Sequence, residues 1–255
     1  MYCTLTRKTL LTKSKVEYAD YTVNHVLGCA HGCKYPCYAY LMKKRFGEVK
    51  DFDDWREPQL VGNALEILDD EIPKLKSKIK SVHLCFSTDP FMYGFDEVAK
   101  MSLAIIRRLN DAGIKCTVLT KGVLPVELAE LSRDNECGIT LVSLYNAFKA
   151  EYEPHAAPTW ERVLALKRLS DRGCKTWVSI EPYPTPNIIS QSLQNIWEAV
   201  FFTDKIIFGK WNYNRRVKDY PDANNFYNQA AAQVQAHCDD YGIQCFIKKG
   251  TISKE

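Results

Sequence analysis

The chain has 255 residues, 46% of them apolar and 25% charged, an ordinary globular composition and enough length for one barrel-sized core. A net charge of +3 is too small to imply nucleic acid, Met1 to Lys15 lacks the apolar core of a signal peptide, and no apolar run approaches the roughly 20 residues that cross a bilayer. These features predict a cytoplasmic protein with no membrane partner, whose ten cysteines are reduced rather than a disulfide framework of the short secreted kind.

In chain order, Tyr21 to Leu27 reads as a short strand and leads into Gly28 to Tyr40, where Cys29, Cys33 and Cys37 are spaced four apart. Thiolate is the soft ligand that iron–sulfur clusters select, and three thiolates on one loop hold three irons of a cubane while leaving the fourth open to a small molecule. A structural zinc on Cys29, His31, Cys33 and Cys37 is the competing reading, although such sites usually gather two separated pairs. Cys3, Cys85, Cys116, Cys137, Cys174, Cys238 and Cys245 occur singly, most in apolar segments, as small buried hydrophobes do.

Beyond the loop, Tyr38 to Phe46 suits a helix, Asp51 to Pro58 a polar loop, and Leu60 to Leu75 a helix by its apolar spacing. Ser81 to Phe86 is a strand ending in Ser87-Thr88-Asp89-Pro90, followed by a helix from Val98 to Ala112 that Gly113 stops. The strand Lys115 to Leu119 ends in Thr120-Lys121-Gly122, and a helix from Pro125 to Ser132 and a strand from Gly138 to Leu144 come next. Then follow a helix Trp160 to Arg172, a strand Thr176 to Ile180 closed by Glu181-Pro182, a helix Gln191 to Phe202, and a strand Lys205 to Phe208. A helix Asn224 to Tyr241 and a short strand Ile243 to Ile247 complete the chain. Alternation of this kind implies βαβ units and a parallel sheet. Six such strands, beginning at Tyr21, Ser81, Lys115, Gly138, Thr176 and Lys205, predict an α/β fold: a partial (β/α)6 TIM-like barrel forming one domain over 1–255.

The run Gly-Cys-Ala-His-Gly-Cys-Lys-Tyr…Cys-Tyr-Ala, with an aromatic behind its last cysteine, resembles the cluster loop of the radical SAM superfamily, in the branch related to spore photoproduct lyase. That branch usually separates its second and third cysteines by two residues. Here Lys34, Tyr35 and Pro36 make three, and Pro36 biases Tyr35 toward extended geometry, so that a bulged loop still delivers Cys37. The resemblance implies a [4Fe-4S] cluster on Cys29, Cys33 and Cys37, S-adenosylmethionine (AdoMet) as its companion, and reductive cleavage of AdoMet to a 5′-deoxyadenosyl radical that abstracts hydrogen from a substrate. It also implies an electron donor such as flavodoxin or ferredoxin. The substrate class, whether small molecule, peptide or nucleic acid, stays open, and a cluster- or zinc-holding protein without catalysis is the alternative.

Chemistry in a parallel barrel gathers at the C-terminal ends of the strands. By resemblance, Ser87, Thr88 and Asp89 receive the amino group of AdoMet, Lys121 its carboxylate, Ser143 a ribose hydroxyl, and Tyr38 lies beside the adenine. Strand-end position adds Asn146, Glu181, Lys210, Trp211 and Asn212, and Glu181 with Lys210 and Trp211 forms the candidate substrate side. A carboxylate such as Glu181 is costly to bury without a partner. Residues Trp211 to Arg216 are expected to cover the open side. In spore photoproduct lyase a hydrogen-donating cysteine precedes the Ser/Thr-Asp element. Here Phe86 holds that slot and Cys85 stands one residue earlier, which on a regular strand turns it to the opposite face. The basic residues Lys210, Arg215, Arg216, Lys218, Lys248 and Lys249 read as solvated surface.

Overall fold

The structure, a computed structural model, describes residues 4–14 and 18–253. Cys3 and residues 15–17 of the N-terminal segment lie outside the described residues. In chain order the elements begin with β1 (Thr4–Leu5), β2 (Leu11–Lys13), β3 (Tyr21–Val23), β4 (Val26–Leu27), α1 (Tyr38–Arg45), α2 (Phe52–Trp55), β5 (Gln59–Val61) and α3 (Ala64–Leu75). They continue with β6 (Ser81–Leu84), α4 (Asp96–Asp111), β7 (Lys115–Thr120), β8 (Glu136–Thr140), α5 (Asn146–Tyr152), α6 (Thr159–Asp171) and β9 (Lys175–Tyr183). The last are α7 (Leu193–Ala199), β10 (Lys205–Lys210), α8 (Arg215–Lys218), α9 (Ala223–Tyr241) and β11 (Gln244–Ile247).

The main sheet has the order β11-β10-β9-β8-β7-β6-β3-β2, and every neighbouring pair from β3 to β11 is parallel, with β2 antiparallel at the edge. That is seven parallel strands rather than six, because β11 pairs with β10 from Lys205↔Gln244 to Phe208↔Ile247 instead of standing apart. A second sheet, β1-β5-β4, lies beside the cysteine loop. The strands are buried on both faces, as in β6, where all four residues are buried. Helices supply the outer cover through apolar faces at helical spacing: α4 buries Val98, Ser102, Ile105, Ile106 and Leu109, and α9 buries Tyr227, Ala230, Ala231, Val234 and Cys238. Inside the barrel, Trp177 lies flat against Gly138, where a Cβ would stand 2.3 Å from the indole. Tyr18 packs on Trp177 and His83 at 5.4 and 5.0 Å between centroids. Among the described residues no helix is long and apolar enough to cross a membrane.

Several boundaries move for tertiary reasons. Tyr21 to Leu27 is two strands, since β3 stops where Asn24 accepts the N–H and Oγ of Ser87, both at 3.0 Å, and β4 joins the small sheet. The expected helix from Leu60 begins only at Ala64, because Gln59–Val61 pairs with β4 and β1. Within the expected loop from Asp51, the Asp51 carboxylate accepts the Asp54 N–H at 2.9 Å and caps the single turn of α2. The Pro125 helix is a 3-10 segment, Val126–Glu130. β8 ends at Thr140 rather than Leu144, and β9 continues through a cis Glu181–Pro182 bond to Tyr183.

Candidate cluster and cofactor site

The cysteine loop joins β4 to α1 and is fastened at both ends. Gly28 has φ +87°, and a Cβ there would meet the Trp55 carbonyl at 2.8 Å, so only glycine lets Cys29 N–H reach that same carbonyl at 2.8 Å. Farther along, Lys34 N–H donates to Tyr152 O at 2.9 Å. His31 is buried, its Nε2 accepts the Tyr93 N–H at 3.0 Å, and its Nδ1 lies 3.4 Å from Asp89. Burial holds its pKa below the ordinary imidazole range, so the ring is neutral, with Nδ1 facing the Asp89 carboxylate. His31 Nε2 is thus occupied by Tyr93 and its Nδ1 faces a carboxylate, an arrangement that argues against His31 as the fourth ligand of the zinc reading.

Cys29, Cys33 and Cys37 are free thiols of intermediate burial. Burial raises Cys29, with Asp89, Cys33 and Cys37 adding to the effect as near neighbours, and pushes Cys33 up to about 12. These thiols shed their protons when a metal takes them, so ligation and deprotonation are one event. Among the described residues no three His, Cys, Asp or Glu side chains gather around one ion-sized point. Three thiols of one loop are the soft donors that an iron–sulfur cluster takes, and in that chemistry the donor set fits such a cluster.

Cys33 and Cys37 open onto a cavity of about 490 Å³. Tyr38 and Thr88 stand at its cysteine side, Lys121 on its wall, and Glu181, Lys210 and Trp211 at the ends of β9 and β10. The structure thus brings together most of the expected site, from five separate strand ends. Three expected residues are placed elsewhere. Ser87 is tied to Asn24 and does not line the cavity. Ser143 is buried, and its Oγ accepts the Tyr145 N–H at 3.2 Å, because β8 has already ended and the chain is turning into α5. Asn146 begins α5 and lines a separate apolar groove. On β8 and β9 the hydroxyls that line the cavity are instead Thr140 and Ser179, which point inward from the pleat and stand opposite each other in the register.

Asp89 also departs from expectation. It is buried and absent from the cavity wall, and it accepts the Phe91 N–H at 2.9 Å, the Thr120 hydroxyl at 2.6 Å and the Lys121 N–H at 2.8 Å, besides facing His31. Its carboxylate is a strut binding the ends of β6 and β7 to the cysteine loop. Cys85 is the reverse case. β6 stops at Leu84 and Cys85 adopts φ +56°, so strand alternation no longer applies and both Cys85 and Phe86 line the cavity. Burial pushes the Cys85 thiol up to about 12, which keeps it protonated, and its Sγ lies 3.5 Å from His25 Nδ1.

Tyr18, His83 and Lys248, none of them anticipated, complete the wall. Lys248 Nζ lies 3.0 Å from the Tyr18 hydroxyl and 3.3 Å from Glu181, spanning the gap between the last strand and the segment before β3. Gly209 makes room for this pair, since a Cβ there would stand 2.9 Å from Glu181 Cδ and 3.0 Å from Lys248 Cγ. Of the basic residues expected at the surface, Lys210 and Lys248 face the cavity, whereas Arg216 binds the Tyr152 hydroxyl at 2.7 Å and Glu151 at 3.5 Å. Trp211 is buried against Tyr35 and Tyr152, and from the Trp211 to Arg216 segment only Trp211, Asn212 and Tyr213 reach the cavity.

A partial parallel barrel with a three-cysteine loop at its mouth is the radical SAM core, and this chain has that fold. A spore photoproduct lyase variant, solved with bound AdoMet and dinucleoside spore photoproduct, matches this fold with a TM-score of 0.68 at 12% identity, over 95% of this chain and 80% of that one. By sequence, the chain is 26% identical over 224 residues to an uncharacterised protein of Methanocaldococcus jannaschii, covering 84% of this chain and 80% of that one. It is 23% identical over 217 residues to an uncharacterised protein of Acidianus two-tailed virus, covering 76% and 69%. No protein-family model matches.

Proposed function

We propose that the chain is a cytoplasmic radical SAM enzyme, and the observation that carries the reading is the opening of Cys33 and Cys37 onto the same cavity as Lys121. Cys29, Cys33 and Cys37 would hold a [4Fe-4S] cluster. With AdoMet and an electron from a low-potential donor such as flavodoxin or ferredoxin, that cluster supplies cleavage of a sulfonium carbon–sulfur bond to methionine and a hydrogen-abstracting 5′-deoxyadenosyl radical. Lys121, 17% exposed and 3.7 Å from Glu153, presents a cation for the AdoMet carboxylate. Tyr38 gives an exposed ring beside the last cysteine for the adenine, and Thr140 and Ser179 take over the ribose contact expected of Ser143. Thr88 supplies a hydroxyl on the amino-group side. Glu181, Lys248 and Tyr18 orient a polar part of the substrate, while Lys210 and Trp211 border it.

The cavity position of Cys85 favours a second reading of the substrate side. A protonated thiol there can give a hydrogen atom to a substrate radical, as the cysteine one slot later does in spore photoproduct lyase, leaving a thiyl radical that one electron from the same low-potential donor and a solvent proton return to the thiol; the substrate is then a nucleic acid lesion. Anaerobic reconstitution with iron and sulfide, followed by dithionite and AdoMet, tests the enzyme reading directly. Release of 5′-deoxyadenosine supports it, and an iron-loaded chain that leaves AdoMet intact refutes it in favour of a binding protein. Deuterium carried from solvent into product in the parent, and absent with Cys85→Ala, separates the second reading from the first.

A further inference from the structure

The extra residue in the second cysteine spacing does not bulge outward. Lys34 is exposed, Tyr35 turns inward to 9% exposure, and Pro36 holds the extended geometry that carries the chain on to Cys37. The Tyr35 ring stacks on Tyr152 at 6.1 Å and 9° and meets Trp211 edge-on at 5.0 Å and 82°. Its hydroxyl donates to Glu153, which is itself 3% exposed.

Glu153 is a post for more than the tyrosine. Arg162 Nη2 lies 2.7 Å from its second oxygen, and the rest of that guanidinium is consumed by the Ala157 carbonyl at 2.9 Å and the Thr140 carbonyl at 3.1 Å. Lys121 Nζ stands farther off, 3.7 Å from Glu153 and 5.4 Å from the centre of the Tyr35 ring. One carboxylate thus faces two cations. Arg162 is buried among these partners and does not line the cavity, which leaves Lys121 as the cation of the two that does. Burial opposes the charge on Glu153, but Lys121 and Arg162 hold its pKa below the ordinary range, so the carboxylate stays ionised at neutral pH.

We propose that Tyr35 and Glu153 are positioning residues: through them the lengthened loop is anchored from below, so that the Cys33–Cys37 span and the direction of Lys121 are set by one buried post. Its catalytic meaning rests on the reading of the three cysteines as cluster ligands, but its test does not need the cluster. In the reduced, metal-free chain, the rate of iodoacetamide alkylation at each cysteine is read by peptide mass spectrometry for the parent, Tyr35→Phe and Glu153→Gln. Loss of a charge-assisted hydrogen bond that restrains local opening should raise the rates at Cys33 and Cys37 by about tenfold. Cys245, half-buried on β11, should keep its parental rate. A merely structural role would instead move all the rates together with the thermal midpoint. Glu153→Gln also removes a charge that raises the Cys33 thiol and leaves Arg162 unpaired, so Tyr35→Phe, which keeps both the ring packing and the carboxylate, decides alone. Parental rates at Cys33 and Cys37 in the folded variants overturn the proposal. A loaded parent that releases no 5′-deoxyadenosine would instead overturn the enzymatic reading, while the alkylation comparison stands.

Discussion

Replacing Asp89 separates a strut from a cofactor ligand, because the two roles predict different losses. In Asp89→Ala the Phe91 N–H at 2.9 Å, the Thr120 hydroxyl at 2.6 Å and the Lys121 N–H at 2.8 Å all lose their acceptor in a buried setting, and His31 loses its own. A hydrogen bond to a charged group contributes about 1.5–3 kcal/mol, and such losses around one carboxylate overlap rather than add. Each buried donor left without its acceptor costs about 1–3 kcal/mol, and with that overlap we take about 3–5 kcal/mol as the expected destabilisation. At about 2–4 °C per kcal/mol for a chain of this size, the thermal midpoint of the metal-free protein should fall by about 6–20 °C. Asp89→Asn keeps one acceptor oxygen and should lose about half as much. The assay is urea unfolding of both variants beside the parent, with iron content measured after reconstitution, since His31 carries the disturbance into the loop between Cys29 and Cys33. Asp89→Ala with parental stability and iron content, but weakened AdoMet binding, would refute the strut and return Asp89 to the amino group of AdoMet.

Cys29→Ala, Cys33→Ala and Cys37→Ala should each lose the visible chromophore and most of the iron after reconstitution, whereas Cys116→Ala and Cys137→Ala should keep both, as read by absorbance and iron assay. Gly209→Ala should cost about 1–3 kcal/mol, because Glu181 and Lys248 must both shift from their Cγ atoms outward, and it displaces the Glu181–Lys248 pair. It and Glu181→Gln should therefore depress product formation more than uncoupled 5′-deoxyadenosine release; equal loss of both would move Glu181 to the cofactor side. Burial depresses His25 and His83 to about 3, so both stay neutral in the fold while the unfolded chain takes up protons from about pH 6.5 downward. Stability is thus fully present above that pH and falls below it by roughly 1.4 kcal/mol per pH unit for each histidine, continuing to about pH 3. Glu153 acts in the same direction, its stabilisation being lost as pH falls below the usual carboxylate range. A flat urea midpoint between pH 6.5 and 4.5 would contradict this assignment.

The three-cysteine loop and the barrel were legible in the chain because both are written in local pattern. Three cysteines at fixed spacing are close together however the rest folds, and an apolar run that alternates with helical periodicity needs only its own residues to declare a βα repeat. The seventh parallel strand was visible as a strand but not as a member of the sheet, because pairing with β10 is a contact between segments that no local pattern records.

The cavity wall was decided by tertiary structure alone. Thr140 rather than Ser143 lines the cavity because β8 ends at Thr140, the last residue in register with β7 and β9, and Ser143 already lies in the turn toward α5. Cys85 faces the cavity because a single left-handed residue breaks the alternation on which a strand argument depends. Asp89 is a strut because Thr120 and Lys121 from the next strand arrive at its oxygens, and Lys248 becomes part of the wall because it meets a tyrosine 230 residues away in the chain. Residue type and spacing carry the chemistry that short segments hold by themselves. The partner that takes up each buried charge is brought by a distant segment, and it is that partner which divides the site residues from the struts.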